Sequence, residues 1–385
     1  MNLVPEIVAF APEMTRIRRD IHAHPELGFA EERTSALVAD MLTSWGVETH
    51  RRIGGTGVVG RIRGNRPGRR IGLRADMDAL PMTEATGLPY ASTRANAFHG
   101  CGHDGHTTML LGAARHLAQS RRFPGEAILI FQPAEEGLGG AVRMLADGLF
   151  QRFPCDEIYA LHAWPGAPVG RVGLKMGVAM ASADNFDIEI LGRGAHGAQP
   201  HASVDPVIAA VGVAQALQTI VSRNIDPLKA AIVSITQIHA GSAYNVIPDA
   251  ARLGGTIRTF DDGVRALVAA RMTHLAEAVA AGFGAEARVT IDPRFSVLVN
   301  SETQALAAMD IARDVVGPEL AQFDSEPQSG SEDFADMLKA IPGAYLLLGQ
   351  GEGPNLHNPK FDFNDDIAPI GASLLARIVE TRAAA

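Results

Sequence analysis

The chain has 385 residues, 46% of them apolar, and its 34 Lys and Arg against 43 Asp and Glu leave a formal net charge of −9. That length exceeds one ordinary hydrophobic core and predicts two domains, while the acidic balance, without a basic run to follow a phosphate backbone, argues against nucleic acid. No stretch reaches the roughly 18 uninterrupted apolar residues of a membrane span and the first residues carry no basic leader, so a cytoplasmic protein without a membrane partner is expected.

In chain order, residues 11–22 and 30–45 have the spacing of amphipathic helices. Strands are predicted at 58–62 and 70–74, a helix at 107–120, a strand at 127–131, a helix at 139–147 and a strand at 157–161. Such a β/α succession predicts a mainly parallel sheet flanked by helices. From about residue 183 the rhythm becomes strand 185–191, helix 205–223, strands 231–239 and 250–260, helix 263–283 and strand 287–291. This βαββαβ order predicts a ferredoxin-like α+β unit. After Pro293 the first pattern resumes with a helix at 301–316, a segment at 331–338, a strand at 344–348 and a helix from 367. The expected organisation is a catalytic domain in two parts, 1–182 and 294–385, with a lid inserted at 183–293.

The chemistry gathers at predicted strand ends. Asp76 and Asp78 follow the strand ending at Arg74, Glu135 and Glu136 follow 127–131, His162 follows Leu161, and His357 lies in the loop beyond Leu348. Cys101 and His103, in His99-Gly-Cys-Gly-His-Asp-Gly-His106, lie just before a helix start, whose positive end favours thiolate. Open α/β sheets collect their ligand sites at this edge, and Cys, His and carboxylates together form a metal-binding set. Singly, each residue has an ordinary structural reading; their shared edge predicts a metal site. His99 and His106 are balanced between supporting that site and simple packing, whereas His22 and His24 at a helix end, and Cys155 in a buried strand, read as structural. Gly55-Thr-Gly-Val-Val-Gly60 and Gly192-Arg-Gly-Ala-His-Gly197 lack the strand-turn-helix context of a dinucleotide site.

Nine motifs now carry a family resemblance: His22-Ala-His-Pro-Glu-Leu-Gly-Phe29, Arg74-Ala-Asp-Met-Asp-Ala-Leu-Pro81, His99–His106, Gln132-Pro-Ala-Glu-Glu-Gly137, Gly194-Ala-His-Gly-Ala-Gln-Pro-His201, Asn245-Val-Ile-Pro248, Gly255-Thr-Ile-Arg258, Gly330-Ser-Glu-Asp-Phe334 and Leu356-His-Asn-Pro359. Together they resemble the M20 metallopeptidases, and within them the amidohydrolase branch of hippurate, N-acyl-amino-acid and auxin-conjugate hydrolases. The resemblance implies two divalent metal ions, zinc or manganese first and nickel or cobalt after them, held by Cys101, His103, Glu136, His162 and His357. It implies Glu135 as general base, His196 as a hydrogen-bond donor to the oxyanion, and Asn245 and Arg258 as partners of the substrate carboxylate. Asp78 matches a position that orients a histidine ligand, although Asp76 stands where the wider family has that histidine.

The implied activity is hydrolysis of an N-acyl-amino acid to a carboxylic acid and a free amino acid. The implied assembly is a homodimer or higher homo-oligomer through the lid. Three alternatives stay open: a metallo-dipeptidase or carboxypeptidase of the same fold, a Cys101 nucleophile with His103 as base, and a metal-binding module without turnover.

Overall fold

The computed structural model describes residues 1–384, which divide into two compact units: Met1–Ala179 with Val299–Pro327 and residues 333–384, and Met180–Leu298 with Gln328–Glu332.

The larger unit is built on an eight-stranded sheet, ordered Glu48–Ile53, Gly57–Arg63, Pro124–Gln132, Arg66–Asp76, Glu157–Trp164, Gly343–Gly349, Val172–Leu174 and Ala321–Phe323. Its four middle strands, from Pro124–Gln132 to Gly343–Gly349, pair in parallel. Their buried stretches are largely apolar, as in Ala127–Phe131 and Ala344–Leu348, because helices cover parallel strands. Antiparallel pairs appear toward the flanks, where Glu48–Ile53 joins Gly57–Arg63, Gly57–Arg63 joins Pro124–Gln132, and Val172–Leu174 joins Gly343–Gly349. Sequence periodicity missed the strands Glu48–Ile53, Val172–Leu174 and Ala321–Phe323, which are short or carry polar residues.

Helices Pro5–Ala23, His103–Ser120 and Ala368–Arg382 pack on one another beside this sheet. The first begins with Pro at its first turn and buries Ile7, Phe10, Met14, Ile17 and Ile21 at three- and four-residue spacing. The second buries nearly every side chain of its first three turns, His103 to Ala114.

Three boundaries correct the sequence reading where it matters. The strand Arg66–Asp76 runs through Asp76, and Glu157–Trp164 carries His162 within it. The helix predicted from Thr107 starts at His103, capped by Gly102 at φ 86°, a left-handed value that glycine adopts without strain.

In the smaller unit, strands Ser182–Leu191, Ala231–Ala240, Ala250–Thr259 and Glu286–Phe295 form an antiparallel sheet in the order second, third, first, fourth. Helices Pro206–Thr219 and Asp262–Gly282 complete the βαββαβ unit. Against expectation, Pro206–Asn224 is long and apolar enough to cross a membrane by length and composition. Its face of Ala209, Ala210, Val213 and Leu217 lies in this unit's core, while Ile208, Val211 and Val221 are exposed.

Candidate metal centre

The carboxyl ends of the central parallel strands deliver the candidate side chains from separate parts of the chain. Cys101, His103 and His162 offer donor atoms within 4.8 Å of one another, and so do Cys101, Glu136 and His357. Cys101 belongs to both groups, its Sγ 3.4 Å from His162 Nε2. A third group joins His103, Glu135 and Glu136. Cys101, His103, Glu135 and His162 are buried, whereas the His357 side chain is 54% exposed.

Each candidate is aimed by a partner. The Asp78 carboxylate accepts from His103 Nδ1 at 3.2 Å and from the Glu136 backbone N–H at 3.0 Å. His162 Nδ1 donates to the Ala163 carbonyl at 2.7 Å, which leaves Nε2 with its lone pair facing Cys101. The His357 backbone N–H donates to the Gly100 carbonyl at 2.8 Å, tying the late loop to the cysteine turn.

Glu135 and Glu136 occupy a turn, and Ala134 before them has φ 55°. His357 has φ 62°. Left-handed backbone at non-glycine residues is strained, and here it falls at two of the points where the chain presents donors. Buried Glu31 braces one of them by accepting the Ala134 N–H at 2.8 Å.

The donor set fits a metal ion. His103 Nε2 is buried without a hydrogen-bond partner, and the donor atoms of Cys101, His103 and His162 lie within 4.8 Å of one another, a spacing that suits an ion roughly 2.0–2.3 Å from each. Electrostatics agree. Burial alone would push the His103 imidazole down, yet Asp76, Cys101 and Asp78 outweigh it and hold it well above the usual histidine range. Hydrogen bonding to Cys101 and Glu136 pushes His357 up to about 10. Anionic groups thus draw positive charge into this spot, while His162, pushed well down by burial, stays a neutral donor.

His99 and His106 separate here. The His99 ring is buried with no hydrogen bond, and burial pushes it down to about 4. His106 bonds Asp76 and the Ala163 N–H. His22 is buried against Asp104 and Glu84, as a structural residue would be. Burial also pushes the Cys101 thiol up, which does not suit a nucleophile awaiting substrate in the metal-free chain. Sequence reasoning missed the Arg74, Gln132 and Asp333 cluster behind the site. Its signal was present, since Arg74 interrupts a central strand where a charge must be paired.

His196, Asn245 and Arg258 all lie in the smaller unit. His196 Nδ1 accepts the Ala198 N–H at 3.0 Å, and the Asn245 carbonyl accepts the Gly197 N–H at 2.8 Å. Arg258 is partly buried on the strand Ala250–Thr259 and makes no ion pair among the described residues.

Fold and site define a metal-dependent hydrolase with a carboxylate beside its donor cluster. The chain belongs to peptidase family M20/M25/M40, whose family model matches residues 72–381. It is 42% identical to a hippurate hydrolase from Campylobacter jejuni over 378 residues, 98% of each chain. It is 41% identical to an N-acetyl-L-cysteine deacetylase of Bacillus subtilis over 94% of this chain and 86% of that one. Among solved structures, the Bacillus subtilis YXEP protein, a dinuclear metal-binding peptidase of the M20 family, superposes with a TM-score of 0.85 at 35% identity, over 98% of this chain and 99% of that one.

Proposed function

We propose that this enzyme hydrolyses the amide bond of N-acyl-amino acids at a pair of divalent metal ions. The observation that carries the reading is the sharing of Cys101 between two donor groups with Glu135 alongside. The hippurate hydrolase and deacetylase relatives support the substrate class. One ion would take Cys101, His103 and His162, and the other Cys101, Glu136 and His357. Bound divalent ions polarise the scissile carbonyl and lower the pKa of the attacking water. Thiolate favours zinc, while the carboxylate and imidazoles also suit manganese, cobalt or nickel.

Glu136 and Glu135 then divide the work. A carboxylate given to a metal cannot also take a proton, so Glu135 removes the proton from water and passes it to the leaving nitrogen. The Nδ1 contact of His196 leaves its proton on Nε2, free to donate to the developing oxyanion, an interaction worth on the order of 3 kcal/mol of barrier. Partly buried Arg258, without an ion pair, and exposed Asn245 suit a carboxylate. The edge strand Ala231–Ala240 exposes Ile232 and Ile238, which supports a homodimer through the smaller unit. A reducing compartment such as the cytoplasm would keep Cys101 available as a thiolate.

The test is hydrolysis of hippurate, N-acetyl-amino acids and indoleacetyl-amino acids by metal-free protein supplemented with zinc, manganese, cobalt or nickel. Metal-dependent release of the free amino acid is expected. Turnover only of substrates with a free α-amine would replace this reading with a dipeptidase.

A further inference from the structure

Behind the donor cluster runs a buried chain of polar groups; its Asp76 and His106 offer donor atoms within 4.8 Å of His103, and its Asp333 within 4.8 Å of Glu135, but none of them belongs to the two groups that share Cys101. The Asp333 carboxylate accepts from Arg74 at 3.1 Å, from the Gln132 amide at 2.7 and 2.9 Å, and from the Ala141 N–H at 2.9 Å. Arg74 also donates to Gln132 at 2.9 Å and to Asp76 at 2.6 Å. The other oxygen of Asp76 accepts from His106 Nδ1 at 2.7 Å, and His106 Nε2 accepts the Ala163 N–H at 2.9 Å. Ala163 is the next residue after His162, and its carbonyl takes the His162 Nδ1 proton. Arg74, Gln132, Asp76, His106 and Asp333 are each at most 2% exposed.

The partners determine where the protons sit. A backbone N–H can only donate, so His106 Nε2 presents a lone pair and Nδ1 carries the proton given to Asp76. This commits the ring's one lone pair and removes His106 from the donor set, although it sits one helical turn from His103. A carbonyl can only accept, so His162 also carries its proton on Nδ1 and turns a bare Nε2 toward Cys101. Packing alone would be met more cheaply by apolar residues, since buried ions rarely stabilise more than well-fitted hydrocarbon. What the chain secures is direction: it pins the peptide between His162 and Ala163 from one side.

We propose that Asp76 and His106, backed by Arg74 and Asp333, are positioning residues that hold this peptide and so aim His162 Nε2 at the metal position it shares with Cys101. The inference rests on the metal reading of the donor set and not on the choice of substrate.

The experiment measures Co2+ binding by chelator competition and the visible spectrum of the Co2+-loaded enzyme, without substrate. Three variants separate positioning from bulk stability. His106→Ala removes both contacts. Asp76→Asn offers an amide N–H to His106 and favours the tautomer that sets N–H against the Ala163 N–H. His106→Gln can keep an acceptor for Ala163. Expected are a 10- to 100-fold weaker Co2+ affinity and an altered spectrum for His106→Ala and Asp76→Asn, the usual loss when a partner of a metal ligand is removed, with most of the affinity regained in His106→Gln. Variants that melt earlier but keep both Co2+ affinities and the spectrum would overturn the proposal. Should His106→Ala not fold, the other two decide: weak binding in Asp76→Asn with near-native binding in His106→Gln supports it, and equal binding overturns it. Wild-type protein that binds no Co2+ would defeat the metal reading itself, whereas failure on acyl-amino acids with Co2+ bound would defeat only the substrate.

Discussion

Asp78 holds His103 through a 3.2 Å contact to Nδ1, and with its second oxygen takes the backbone N–H of Glu136 at 3.0 Å. One carboxylate therefore sets two donors at once. Asp78→Ala should weaken metal binding by about 10- to 100-fold, since both donors lose a partner. Metal content after dialysis against a chelator checks this, and an unchanged content would show that the helix and turn hold these residues unaided.

Glu135→Gln should retain its metals and lose kcat by several orders of magnitude, because the amide cannot take the proton from water. Elemental analysis beside steady-state kinetics separates the outcomes. Metal lost together with activity would mean that the roles of Glu135 and Glu136 are exchanged.

Cys101 belongs to both donor groups, so its loss should be felt at both. Cys101→Ala is expected to lower the metal content at two positions, whereas His357→Ala should lower it at one. A Cys101→Ala enzyme with its full complement of metal would rule the thiolate out as a donor. In the loaded native enzyme, Cys101 should also resist alkylation.

Arg258→Ala should raise KM for N-acyl-amino acids by about 10- to 100-fold, the effect of losing a charge-assisted contact worth roughly 1.5–3 kcal/mol. The corresponding amino-acid amides, which offer no charge to the guanidinium, should be poor substrates for both enzymes. Equal hydrolysis of acid and amide by the native enzyme would point to a general amidase.

Glu31 predicts a pH dependence of stability. Burial, against the hydrogen bond from Thr56, pushes its carboxyl up to about 7 from an ordinary 4.5. The folded state thus binds this proton more tightly than the unfolded chain. The resulting stabilisation is complete below about 4.5 and is lost as pH rises through about 7. Metal-free native protein should therefore lose Tm relative to Glu31→Gln across that window. A Tm difference constant from pH 4 to 8 would show that Glu31 titrates normally.

The donor types were legible in the sequence because they sit in short glycine-rich or strand-ending segments whose local form follows from neighbouring residues. Cys101, His103, Glu136, His162 and His357 were all named there, and all come together in the larger unit. Less legible were the exact ends of elements. Periodicity stopped a strand at Leu161 and began a helix at Thr107, since His162 and His103 are polar and hydrophobic spacing does not register them. The hydrogen bonds that end or start those elements do.

From the sequence alone came the β/α order, the antiparallel βαββαβ unit and the residue types able to bind a metal, all consequences of side-chain period and chemistry along the chain. Tertiary structure alone decided which histidines face the metal position. His103 and His106 lie three residues apart on one helix and are alike by every local measure. Asp78 leaves His103 Nε2 bare, whereas the Ala163 N–H occupies His106 Nε2. That difference arises only when the parallel strands carrying Asp76 and Ala163 are in register beside the helix, because a lone pair can serve a backbone N–H or a metal ion and not both.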